Sequence, residues 1–140
     1  MAAFICCYDQ VYRRYAQVRT SDAQSAKAIV ERVLGRLRDR WEEALRSPSA
    51  AAFAWQLLSV EVSGMCCRCP AHPGAQAVYG IVGRTQADAL VLHHVLQLPV
   101  PESSALMGVP EHLLVARLRS AERRISPCLA AALRARPPRS

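Results

Sequence analysis

Hydrophobic side chains recur at three- and four-residue intervals along most of this chain, and the breaks in that rhythm divide it into helices. Ala26, Ile29, Val30, Val33, Leu34, Leu37, Trp41, Ala44 and Leu45 form one apolar stripe, with Arg32, Arg36, Asp39, Arg40 and Glu43 on the outer face. That spacing predicts a long amphipathic helix. Upstream, Phe4, Tyr8, Val11, Tyr12 and Tyr15 predict a helix over residues 4–17, with Arg13 and Arg14 opposite. Downstream, Ser47 and Pro48 read as the N-cap and first-turn proline of a third helix over residues 48–60, with Phe53, Leu57 and Leu58 inward.

The texture changes after Ser63. Gly64, Pro70, Pro73 and Gly74 mark a linker, and residues 75–83 fit either a helical turn or an extended connection. Thr85 then reads as the cap of a helix over residues 86–97, with Leu90, Val91 and Val95 inward, and Pro99 and Pro101 end it. A short helix over residues 101–107 is followed by Gly108, which suits a turn position of positive φ, and by Pro110 as the first residue of the next helix. In that helix Leu114, Leu118, Ala121 and Ile125 form the inward stripe, while Arg117, Arg119, Arg123 and Arg124 lie mostly off it. Ser126 and Pro127 interrupt before a last short segment reaching Leu133. The expected fold is all-α: a three-helix unit over residues 1–64, a Cys/Pro/Gly linker over 65–83, and a helix-turn-helix unit with an Arg-rich tail over 84–140.

Composition adds charge to this picture. Half of the 140 residues are hydrophobic, enough for a packed core, and the formal charge is +7. It is concentrated late: residues 65–140 carry nine basic and four acidic side chains, against nine and seven over residues 1–64. A basic C-terminal face attracts polyanions by counterion release, although arginines in a solvated tail give the same count. No apolar run approaches the ~18 residues of a membrane span. The N-terminus lacks the pattern of a secretory signal, so the expected location is cytoplasmic, with no membrane partner and with reduced cysteines.

Catalytic motifs are missing. No phosphate-binding glycine loop, nucleophile elbow, zinc-protease helix or paired carboxylate stands out, so the chain is not expected to be an enzyme, and no cofactor is expected. Cys66, Cys69 and His72 offer three soft ligands, with Cys6, Cys7 or Cys128 as a fourth. The spacing matches no standard zinc module, so no metal site is assigned, and a zinc or thiol sensor is the weakest alternative. His93 and His94 are adjacent on one helix, so one of them must face outward.

The stretch Leu106-Met107-Gly108-Val109-Pro110, with Glu102 before it and Arg117-Leu118-Arg119 and Ala121 after it, resembles region 4 of the sigma-70 family of RNA polymerase sigma factors, the extracytoplasmic-function group in particular. Val91-Leu92-His93-His94-Val95-Leu96 suits the helix before that motif. More faintly, Val11-Tyr12-Arg13-Arg14-Tyr15, the helix from Ala26 to Leu37, Trp41, Pro48 and Ala54-Trp55 resemble region 2. The resemblance implies a sigma-factor-like transcription regulator whose partners are promoter-type duplex DNA, RNA polymerase core and a second regulatory protein. It places DNA contacts on Glu111, His112, Arg117, Arg119, Arg123 and Arg124. Polymerase or partner contacts fall on Lys27, Glu31, Arg32, Leu113 and Val115. The chain departs from the pattern in four places. Lys27 and Ala28 stand where acidic residues are usual, residues 56–63 lack the basic and Asn residues that melt promoters, Ser103 and Ser104 replace an apolar pair that packs in the family, and Leu113-Leu114-Val115 replaces Thr-Val-Arg. Unaided promoter melting is therefore not expected. The alternative is a protein-interaction adaptor of sigma-like ancestry, because three consecutive apolar residues at a helix start leave one exposed.

Overall fold

The structure, a computed structural model, describes residues 2–20, 23–65 and 73–134 and is all-α over them. Helices α1 (Ala2–Arg19) and α2 (Ala23–Asp39) pack along each other and on α4 (Ala50–Met65). The α2 stripe is buried as its spacing requires, with Ile29, Val30, Val33 and Leu37 in the core. The stripe does not continue as one helix, however. At Arg40 the backbone turns to φ −111°, ψ 21°, and α3 (Trp41–Arg46) begins. Arg40 donates to both Glu43 oxygens at 2.8 and 2.9 Å and lies over the Phe53 ring. This change of direction keeps Ala44 buried but turns Leu45 outward, 61% exposed, so Leu45 leaves the stripe.

The start of α4 also differs from the expected one. The Ser47 hydroxyl donates back to the Ala44 carbonyl and closes α3, while Ser49 Oγ accepts the Ala52 amide at 3.2 Å and opens α4. Residues 75–81, for which the sequence fits helix and extended chain equally, belong to a helix, α5 (Pro73–Ile81). Next comes α6 (Arg84–Leu90). Its N-cap is Gly83, in extended geometry, so Thr85 lies inside the first turn and does not cap it.

From Val91 to Val95 the helix widens into a π-turn, with the Leu96 amide on the Val91 carbonyl at 3.0 Å. The chain then stops turning because Pro99 disfavours helical backbone at Leu98. Gln97 takes φ 57°, Leu98 donates to the Leu92 carbonyl at 3.0 Å, and Arg14 of α1 donates to the Leu96 carbonyl at 3.2 Å. A cation there meets the negative end of the helix. The remaining helices are α7 (Val100–Met107), α8 (Glu111–Arg124) and α9 (Pro127–Arg134).

Buried residues from both halves of the chain share one core, in which α4 meets α7, α5 meets α9, and α1 meets α5. Its polar centre is Asp88 of α6. The Asp88 carboxyl accepts the Tyr15 hydroxyl at 2.6 Å, the Ser59 hydroxyl at 2.7 Å, the Trp55 indole N–H at 3.2 Å and the Tyr79 hydroxyl. Buried Arg19 donates to Tyr15 Oη at 2.9 Å and to Ser63 Oγ at 3.1 Å, and stacks 3.6 Å above the Tyr79 ring. Burial raises the Asp88 carboxyl above its ordinary pKa of 3.8, against lowering by bonds from Tyr15, Tyr79 and Ser59 and by the Arg19 charge. Burial likewise raises Tyr15 and Tyr79, and the Asp88 charge adds to both shifts. Among the described residues no helix is long and apolar enough to cross a membrane.

Two substitutions at this centre test its role. Asp88→Ala leaves four donors without their acceptor and is expected to cost about 3–5 kcal/mol. Asp88→Asn keeps the size but cannot ionise, so its stability difference from wild type follows Asp88 alone. An acid whose native pKa is raised stabilises most below its unfolded value near 3.8 and loses that contribution as pH rises through the native value. Wild type should therefore lose ground to Asp88→Asn as pH rises from about 3, then level off. Urea unfolding of both proteins across pH measures this. A wild-type advantage that grows with pH would mean that the donors and Arg19 outweigh burial.

Candidate nucleic-acid interface

The turn between α7 and α8 has the left-handed glycine closure that the sequence predicts. Gly108 closes α7 in left-handed geometry, φ 67°, ψ 33°. The Val109 amide bonds the Ser104 carbonyl at 3.1 Å, and the Ser104 hydroxyl returns a short bond to the Val109 carbonyl. Ser104 thus ties the turn with its hydroxyl at a position where the resembling family packs an apolar side chain. Ser103 is also buried, and its hydroxyl has no partner among the described residues. Pro110, expected as the first residue of α8, is its N-cap, so the helix starts one residue later, at Glu111, and the Pro110 carbonyl accepts the Leu113 and Leu114 amides at 3.1 Å.

Gly108 is required for a second reason. A Cβ at this position would lie 2.3 Å from the Ala52 nitrogen and 2.5 Å from Ser49 Oγ. The turn is seated against the first turn of α4, and that close approach fixes α8 relative to the N-terminal helices.

Leu114, Leu118 and Ala121 hold α8 against α6 and α7. The opposite face is open: Glu111, His112, Arg119, Arg123 and Arg124 are exposed, and Arg117 is half-buried. Arg123 Nε donates to the Arg119 carbonyl at 3.3 Å, and Arg124 reaches the Ile81 carbonyl at 3.2 Å, so both are partly positioned by backbone. Arg119, Glu122 and Arg123 line an open surface cavity of about 470 Å³. Glu122 Oε1 lies 3.0 Å from His94 Nε2 and accepts its N–H when that nitrogen is protonated, and His94 is the buried member of the histidine pair while His93 is half-buried. Glu122 is not among the site residues expected from sequence; its one signal there is its sign, a single acid inside the arginine run.

Leu113 is 38% exposed, Leu114 is buried and Val115 is half-buried. Lys27, Glu31 and Arg32 lie on the exposed side of α2, which packs mainly on α1, α3 and α4, whereas α8 packs mainly on α6 and α7. The expected partner contacts are therefore split: Lys27, Glu31 and Arg32 lie on α2, away from the expected DNA contacts, whereas Leu113 and Val115 lie on α8 beside them. Arg32 and Arg36 hold Glu61 of α4 at 2.8 and 2.7 Å, and the hydrogen bond from Arg32 keeps that carboxylate below its usual range.

Cys66, Cys69 and His72 lie outside the described residues. Among the described residues no cluster of metal-ligating side chains forms, and Cys6, Cys7 and Cys128 are exposed free thiols. In comparisons with known proteins, no family model, curated protein or solved structure matches the chain.

Gly108→Ala is expected to cost more than about 2 kcal/mol, because it adds left-handed strain to a clash with backbone. Gly35→Ala, whose Cβ meets nothing within 4 Å in the middle of α2, should instead stabilise by about 0.5–1 kcal/mol. Thermal or denaturant unfolding of the pair checks both signs.

Proposed function

We propose that this chain is a sigma-factor-like transcription regulator that binds duplex DNA through α8. The observation that carries this reading is the α7–Gly108–α8 turn, which leaves an arginine-bearing helix face open while burying the opposite stripe. In a helix-turn-helix the start of the second helix meets base edges and cations along it meet phosphates. Glu111 and His112 occupy the start, and Arg117, Arg119, Arg123 and Arg124 supply the cations. RNA polymerase core and a second regulatory protein are the proposed protein partners, and the outer face of α2, with Lys27, Glu31 and Arg32, is the proposed polymerase contact.

The region-2-like half supports a restricted role. Capturing single-stranded DNA takes exposed aromatic rings beside cations. Here Tyr12, Tyr15 and Trp55 are buried, and Trp55 donates to Asp88. Their rings build the core: Tyr15 and Trp55 centroids lie 4.7 Å apart, and Tyr12 and Trp55 6.0 Å. The second reading is an adaptor that docks protein on Leu113, the exposed apolar residue at the start of α8.

Two outcomes follow. In a salt titration of DNA affinity, Arg117→Ala and Arg119→Ala should each weaken binding and lower the log–log slope by about one unit for each phosphate no longer neutralised. Wild-type protein with no salt-dependent DNA binding would hand the role to the adaptor reading. In run-off transcription with purified core polymerase and a promoter library, this chain alone should give no specific transcript. A specific transcript would show that residues 56–63 are replaced functionally by another segment.

A further inference from the structure

Helices α1 and α7 both rest on α4 but do not pack along each other, and a cavity of about 300 Å³ lies between them. Its inner end is formed by Leu98 and Leu106, both buried, and its α1 wall by Tyr8 and Val11, both half-buried. The rim is open, with Cys7, Glu102 and Ala105 exposed. The apolar surfaces are fixed in advance. The Tyr8 ring is held between Phe4, edge-on at 4.7 Å, and Tyr12, stacked at 6.0 Å. Leu98 is placed by its bond to the Leu92 carbonyl at 3.0 Å and by Gln97, whose left-handed backbone at φ 57° is costly for any residue but glycine.

Glu102 is the one charged residue that lines the cavity, and no ion pair among the described residues uses it. The two arginines of α1 that follow Val11 are engaged elsewhere: Arg13 with Asp9 at 3.1 Å, and Arg14 with the Leu96 carbonyl at 3.2 Å. Size and charge together select the occupant. A cavity of this volume suits a small molecule and is too small for a docking helix or a duplex. An anion would meet the Glu102 carboxylate with no lining cation to offset it. A cation gains from Glu102 by pairing and from the Tyr8 ring by cation–π attraction, while Val11, Leu98 and Leu106 receive an apolar body.

We propose that the α1–α7 cavity binds a small organic amine with an apolar body, its ammonium group at Glu102 and its body against Tyr8, Val11 and Leu98. None of these residues belongs to α8, and the site stands whether or not α8 binds DNA.

The test uses the full chain and three probes that share a phenyl ring: 2-phenylethylamine, the neutral 2-phenylethanol and the anionic 3-phenylpropionate. The amine should shift backbone amides in ¹⁵N spectra, centred on Tyr8, Leu98 and Glu102, with a Kd of about 1 mM or below. The alcohol should bind about fivefold more weakly, and the carboxylate should not bind. Glu102→Gln should weaken the amine by about the same factor and leave the alcohol unchanged. Ala105→Trp changes an exposed position and fills the mouth, so amine binding should be lost while the unfolding midpoint is kept. Cys6 and Cys7 are adjacent exposed thiols, of which only Cys7 lines the cavity. The amine should therefore slow alkylation of Cys7 by iodoacetamide and not that of Cys6. Equal binding of amine and carboxylate, no shift with any probe, or shifts centred elsewhere would overturn the proposal. So would equal protection of the two thiols, or undiminished amine binding by Ala105→Trp.

Discussion

A carboxyl group withdrawn from water must be satisfied by its surroundings or left costly to bury, and the fold is arranged around one such group. Asp88 collects donors from α1, α4 and α5 while sitting on α6. Those bonds set the rotation of each helix, because Tyr15, Ser59, Trp55 and Tyr79 reach one carboxyl only in a narrow range of helix phases. Apolar packing alone tolerates sliding of helices past one another; a polar point with several directional bonds does not. Arg19 extends the constraint by bonding Tyr15 and stacking on Tyr79, and its charge acts against the burial that raises the Asp88 carboxyl. Tyr12, by contrast, is buried with a hydroxyl that has no partner among the described residues, which makes it a filler of volume in the aromatic row and not part of the polar centre.

The consequence for the α8 interface is positional. Asp88 anchors α6, α6 supports α8, and the Gly108 turn rests on the start of α4. The α7–α8 pair is thus braced from two directions by the N-terminal half. That bracing couples the orientation of α8 to that of α4.

The sequence displays those parts of this arrangement that are local. The α2 stripe from Ala26 to Leu37 is legible because a buried helix face repeats on itself, and the Gly108 turn is legible because left-handed backbone selects glycine. Three features are not legible. Leu45 fits the stripe by spacing and is exposed because the helix axis changes at Arg40, where Glu43 and the Phe53 ring, the latter from another helix, hold the guanidinium. Thr85 has the chemistry of a cap, yet the cap is Gly83 and the helix starts two residues earlier than expected. Asp88 gives only one hint, a lone acid inside the apolar run from Ala87 to Leu92, and its four partners lie 9 to 73 residues away. On the candidate site, the exposed arginines of α8 follow from the same periodicity that buries Leu114 and Leu118, whereas the Arg32–Glu61 and Gln56–Arg84 pairs arise only when α2, α4 and α6 meet.

The burial of Tyr12, Tyr15 and Trp55 narrows what these rings can do. An aromatic ring placed in the core contributes large apolar area, and Trp55 and Tyr15 also satisfy Asp88. Exposing either ring to a nucleic acid base would strip a donor from a buried carboxyl and open the packing among α1, α4 and α6. The cost of that rearrangement falls on the interaction that holds the helices in phase, whereas base stacking contributes about 1–3 kcal/mol per ring. Stability and strand capture therefore compete for the same residues, and in this chain stability holds them. The proposed partner surface is one the core does not need, the open arginine-bearing side of α8.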